Sequence, residues 1–83
     1  MLATIEYKSS VFRDLKKIGM PEATRIMNKL EKDLRKNPDK GEPLKGKFKG
    51  MFKLKVGDYR VIYAKIKESV LILRIGHRKH VYR

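Results

Sequence analysis

The chain has 83 residues, no cysteine, and 22 Lys plus Arg against 9 Asp plus Glu, a formal net charge of +13. That length suits a single small domain, residues 1–83, burying about 60–65% of its unfolded surface; the lack of cysteine excludes disulfides, thiolate catalysis and Cys-held metals and fits a reducing cytoplasm. No apolar run reaches the roughly 18 residues that cross a bilayer, and MLATIEYKSS lacks the order of a signal peptide, so a soluble cytoplasmic protein with no membrane role is expected, and its charge asks for a polyanionic partner.

In chain order, residues 2–8 alternate loosely, with Ala3, Ile5 and Tyr7 on one side, and read as a strand. Ser9 or Ser10 is placed to cap a helix through its hydroxyl, and Val11, Phe12, Leu15 and Ile18 form an apolar stripe that Gly19 ends. Pro21 opens a second helix whose buried face is Ala23, Ile26, Met27, Leu30 and Leu34, and Asn37-Pro38 stops it. The Pro-, Gly- and Lys-rich stretch NPDKGEPLKGKFKG reads as a long loop anchored by Leu44 and Phe48, with Lys45, Lys47 and Lys49 in solvent. From Met51 onward the period is two, with a tight turn at Gly57-Asp58 and a second turn near Lys67-Glu68. The order is strand, helical hairpin, then a three-stranded antiparallel meander. This is an α+β fold with the helices packed on one sheet face.

A two-residue turn at Gly57-Asp58 opposes Val56 with Tyr59, Lys55 with Arg60, Leu54 with Val61 and Phe52 with Tyr63. Opposed residues share a face, so Phe52, Leu54, Val56, Tyr59, Val61 and Tyr63 belong under the helices. Lys53, Lys55 and Arg60 gather on the other side with no acid between them. For the last strand two registers compete. A two-residue turn at Lys67-Glu68 sends Arg74 towards the core, which is costly for an unpaired charge. A loop one residue longer places Leu71, Leu73 and Ile75 in the core and Arg74 opposite Arg60, and is preferred. Gly76 and Arg78 then share the basic face, with open space at Gly76 for a ligand or a backbone.

Like charges directly opposed destabilise a hairpin, so a face that carries them is better explained by a bound anion than by solvation alone. The acids are scattered rather than clustered for Mg²⁺, and His77 and His80, spaced i, i+3, lack a third ligand. No metal and no cofactor is expected. What cations can do unaided is phosphate chemistry. Arginine stabilises the charge of a pentavalent phosphorus, and a lysine crowded by cations can act as a base. RNA supplies its own nucleophile, the 2′-OH, so the expectation is metal-independent RNA cleavage to a 2′,3′-cyclic phosphate.

LKG at 44–46, FKLKVGDYRVIY at 52–63 and the C-terminal GHRKHVYR, in that order, resemble the RelE/ParE toxin superfamily, on its RelE side, over nearly the whole chain. The resemblance implies an mRNA endonuclease of a type II toxin–antitoxin system, an mRNA interferase that inhibits translation at the ribosome. It also implies an acidic RelB-like antitoxin that neutralises it, and operator DNA bound by the toxin–antitoxin complex. By motif, Lys53, Lys55, Arg60, Arg78 and Tyr82 are the implied catalytic set: a lysine base, arginines on the phosphate, and a tyrosine that stacks on or orients the substrate. His77 and His80 stand where relatives often carry Lys, Arg or acids; they are candidates for a share in proton transfer or for phosphate contact. Arg74, Lys45, Lys47, Lys49, Lys79 and Arg83 are assigned to the RNA backbone.

Two other functions compete. A ParE-like inhibitor of DNA gyrase shares the fold, but has no need of clustered Lys53, Lys55, Arg60 and Arg78. A non-catalytic nucleic-acid-binding module is the other, and the scarcity of exposed aromatics counts against a single-strand binder.

Overall fold

The structure is a computed structural model and describes residues 2–81. Strand β1 (Thr4–Tyr7) leads into α1 (Val11–Ile18) and α2 (Glu22–Lys36). A two-residue strand β2 (Glu42–Pro43) and one turn of 3₁₀ helix (Gly46–Phe48) precede β3 (Met51–Val56), β4 (Tyr59–Ile66) and β5 (Ser69–His77). They form one mixed sheet in the order β1-β5-β4-β3-β2, with β1 parallel to β5 and the other pairs antiparallel. The expected strand, helical hairpin and meander are present; β2 adds an edge strand inside what reads as a loop, and Pro43 suits that edge because it has no N–H to pair outward.

The apolar stripes pack as their spacing predicts. Val11, Ile26, Leu30 and Leu34 are fully buried against Val61, Tyr63, Val70, Ile72 and Ile75, with α1 lying on β5 and α2 on β1 and β3. Two details at α1 differ. The Ser10 hydroxyl makes no cap bond; instead the Val11 and Phe12 N–H groups donate to the carbonyls of Lys8 and Ser9 in a preceding turn. Phe12 is 58% exposed rather than in the core, its ring 6.4 Å from that of Tyr7.

The β3–β4 hairpin has the expected register, from Val56 opposite Tyr59 to Phe52 opposite Tyr63. Its turn uses Gly57 at φ 58°, a left-handed conformation that costs a glycine little. The register of β5 corrects the expectation. Ile66 pairs with Ser69 across a two-residue turn, and an irregularity between Ile62 and Tyr63 leaves Leu73 as the extra residue. One bulged residue reverses side-chain parity. Val70 and Ile72 therefore face the core before it and Ile75 after it. Leu71 and Leu73 do not join them, and Arg74 stands opposite Ile62, with Gly76 opposite Arg60. The short turn and a solvent-reaching Arg74 are compatible after all, because the bulge turns Arg74 back out.

Beyond Gly76 the chain curls over the sheet. The His80 and Val81 N–H groups donate to the His77 carbonyl, and the buried Val81 settles on Gly76, 3.5 Å from where a Cβ would lie. The space at Gly76 is thus taken by the chain's own backbone. Val81, Phe48, Met51, Ile62 and Leu73 line an apolar hollow on this second face.

Candidate active site

Alternation along β3 and the Gly57 turn set Lys53, Lys55 and Arg60 on the sheet face away from the helices, with Lys55 directly across from Arg60. Lys53 is the more sheltered lysine, its side chain 23% exposed against 58% for Lys55. The Arg60 guanidinium is held from behind: Nη1 donates to the carbonyls of Gly57 and Tyr59, each at 2.9 Å. A guanidinium has five N–H donors, so most remain to bind an anion.

The face is not devoid of acid. Strand β2 pairs Glu42 with Lys53, and the Glu42 carboxylate reaches 3.9 Å from both Lys53 Nζ and Lys55 Nζ. Contacts that long between partly solvated groups hold little energy, but they put a proton acceptor among the cations. Glu42 is the site residue that reading the sequence missed, because only the pairing of a two-residue strand brings it there. The pairing is fixed by Tyr63, whose buried hydroxyl accepts the Gly41 N–H at 2.9 Å and donates to the Pro38 carbonyl at 2.8 Å. Burial and the nearby Asp39 raise the Tyr63 pKa, against the lowering effect of the Gly41 bond, so the phenol stays a donor.

Arg78 comes to this end of the sheet by another route. Its N–H donates to the Asp58 carbonyl at 2.9 Å, fastening the C-terminal turn to the tip of the hairpin that carries Arg60; its side chain is exposed. His77 and His80 are not on the same face. His77 pairs with Tyr59, on the helix side, with the two rings edge to face at 5.8 Å, and His80 lies 6.1 Å from His77. Arg74, at the free edge of β5, has Nε 3.7 Å from Asp14 of α1. Asp14 also accepts the Ile75 N–H at 3.0 Å, pairing an edge donor that β1 is too short to reach. Lys45, Lys47 and Lys49 lie exposed along the β2–β3 connection, and Lys79 is exposed in the last turn. Tyr82 and Arg83 lie outside the described residues. Among the described residues there is no cluster of three His, Cys, Asp or Glu that could hold a metal.

The domain thus joins two helices and a five-stranded sheet to a basic row at one end of that sheet. Residues 5–82 match the family model of the ParE toxin of type II toxin–antitoxin systems, and the chain belongs to that family, within the RelE/ParE superfamily. It is 31% identical to the toxin RelG of Mycobacterium tuberculosis over 96% of this chain and 95% of that one. Its fold is similar to the RelBE2 toxin–antitoxin complex of the same organism (TM-score 0.85, 28% identity, 94% of this chain and 100% of that one). It is also similar to a mutant of Escherichia coli RelE in the free state (TM-score 0.74, 20% identity, 93% and 84% covered). The protein is a toxin of a type II toxin–antitoxin system. No helix in the described residues is long and apolar enough to cross a membrane.

Proposed function

We propose that this toxin is an endoribonuclease that cuts mRNA on the ribosome without a metal ion. The observation that carries the reading is the convergence of Lys53, Lys55 and Arg60 on one face with a single carboxylate, Glu42, beside the lysines. The 2′-oxygen attacks the adjacent phosphorus and the bond to the 5′-oxygen breaks, leaving a 2′,3′-cyclic phosphate and a free 5′-OH. The proton of the 2′-OH passes into the Lys53–Glu42–Lys55 cluster. An ammonium has no lone pair to offer, so the carboxylate is the acceptor, and a lysine returns a proton to the leaving oxygen. Arg60 and Arg78 hold the non-bridging oxygens as charge builds on them, and Tyr82 packs on the nucleotide.

The same charge accounts for the partners. In this reading a cognate acidic antitoxin covers the basic row and the pair binds operator DNA; the similar RelBE2 structure is a toxin–antitoxin complex, which supports an antitoxin partner. The deciding experiment is primer extension on an mRNA translated by purified ribosomes with added toxin. Discrete cuts are expected, lost when the nucleotide before the cut is 2′-deoxy and lost with Arg78→Ala. Cleavage that survives the 2′-deoxy substitution overturns the mechanism. Growth arrest with intact mRNA and inhibited gyrase overturns the nuclease reading in favour of the ParE-like one.

A further inference from the structure

On the helix side of the sheet, at the same end as the basic row, lies a second concavity of about 380 Å³. It is walled by Lys17 from α1, Tyr59 from β4, Arg74 and His77 from β5, and His80 from the last turn. It exists because β1 stops opposite Ile72, leaving the far end of β5 without a strand neighbour on that edge. The residues that line it are not those of a packing defect. Three rings meet there, with Tyr59, His77 and His80 in successive contact. The His77 ring is oriented by the Lys79 N–H, which donates to Nδ1 at 3.2 Å; a neutral imidazole that accepts at Nδ1 presents Nε2–H as a donor. Lys17 and His80 are exposed at the rim, while Arg74 is paired with Asp14, which also lines the concavity, so that this pair adds no net charge.

We propose that this concavity is a nucleotide subsite for single-stranded RNA, in which one base stacks among Tyr59, His77 and His80 and its phosphate meets Lys17. Aromatic faces beside cations are what a single strand needs, since every base has a π-face and every nucleotide a phosphate. Distance fits the basic row. Lys55, Arg60 and Gly76 lie abreast on three adjacent strands, so the row ends roughly 10 Å from Lys55 at ordinary strand spacing. Gly76 and Arg74 border the concavity as well; Val81 covers Gly76 itself, so a strand leaving Arg60 reaches the concavity past the exposed C-terminal turn that carries Arg78 and Lys79. The histidines then bind and position the RNA from the opposite face rather than exchange protons with the scissile group. The proposal rests on the reading that RNA occupies the basic row, and it adds where the flanking nucleotide goes.

The test uses the toxin chain and fluorescein-labelled 2′-O-methyl pentaribonucleotides, which cannot be cut, in fluorescence anisotropy. Removing the base at one position of the pentamer is expected to weaken binding about tenfold, the scale of one stacked base. That loss should vanish in His80→Ala, whose exposed position leaves folding undisturbed, while Lys17→Ala weakens intact and abasic pentamers alike. The proposal is overturned if no abasic position matters, or if the abasic penalty persists unchanged in His80→Ala. An acidic peptide that binds and is sensitive to His80→Ala, with pentamers indifferent to it, also overturns it and marks a protein-docking site instead. Failure of the reading that RNA occupies the basic row looks different: Arg60→Ala would leave pentamer affinity intact, whatever His80→Ala does.

Discussion

The Tyr63 hydroxyl, buried in the middle of the sheet, accepts the backbone N–H of Gly41 at 2.9 Å. That bond joins the core to the basic face, since Gly41 precedes Glu42 and fixes where the β2 edge lies against Lys53. The approach is so close that a Cβ on Gly41 would stand 2.6 Å from the Tyr63 oxygen and 2.8 Å from the Lys53 carbonyl. Tyr63→Phe removes the acceptor and leaves a buried N–H without a partner, a loss of about 1–3 kcal/mol. Gly41→Ala forces the strand apart and is expected to cost at least as much. Urea melts measure both, and both variants should also lose activity as Glu42 drifts from the lysines.

Alkaline pH should unfold this protein early. The Tyr7 hydroxyl donates to Glu31 of α2, and burial, followed by that bond and the Glu31 charge, pushes its pKa well above the ordinary 10.0. Tyr63 is also raised, chiefly by burial. Where the folded value exceeds the unfolded one, the folded state holds the proton more tightly. The stabilisation is complete below about pH 10 and is lost as pH rises through the folded value. The Tm should therefore fall from about pH 10 upward, and Tyr7→Phe should flatten that slope while lowering the Tm at neutral pH. A wild-type Tm that tracks Tyr7→Phe in parallel across the range would contradict the assignment.

The two helices and the β3–β4 register were legible because each rests on a local rule: apolar spacing in the helices, and a two-residue turn in the hairpin. The bulge was not. Leu71, Ile72 and Leu73 are all apolar, so a one-residue shift leaves the hydrophobic pattern as good as before, and only packing chooses Val70 and Ile72 over Leu71 and Leu73. Glu42 was hidden for a different reason: a two-residue strand has no period to detect, and its place depends on the bond from Gly41 to Tyr63, which lie 22 residues apart. GHRKHVYR misled by looking like one unit. Alternation puts Gly76 and His77 on opposite faces, and the turn that follows carries Arg78 to the hairpin tip and His80 to the helix side.

Salt dependence should count the phosphates on the basic row. For a single strand, log K falls with log salt at about 0.7 per phosphate neutralised. With Lys53, Lys55, Arg60 and Arg78 on the backbone, each alanine substitution that removes a phosphate contact should reduce the slope by about 0.7. Arg60→Lys should keep the slope but lose cleavage, because the ammonium preserves the charge and not the paired donors that a phosphate takes from a guanidinium. Anisotropy at several salt concentrations reads the first effect and primer extension the second. An Arg60→Lys enzyme that cleaves like the wild type would reduce Arg60 to a point charge.

Glu42→Gln separates a base from a mere neighbour. The side chain keeps its shape, and the β2–β3 pairing runs through the backbone, so the fold should be unchanged and the Tm with it. Removing a negative charge from between two lysines favours an RNA polyanion, so KM should fall. If the carboxylate takes the 2′-OH proton, kcat should fall by about 10²- to 10³-fold, within the range for a lost general base. The fall in kcat alongside the fall in KM is the signature, since an ion pair that only tidied the lysines would lower KM and spare kcat. Single-turnover cleavage on programmed ribosomes measures the chemical step directly. An unchanged kcat in Glu42→Gln would return the base to Lys53 or Lys55, whose alanine variants should then lose the chemical step while Glu42→Gln keeps it.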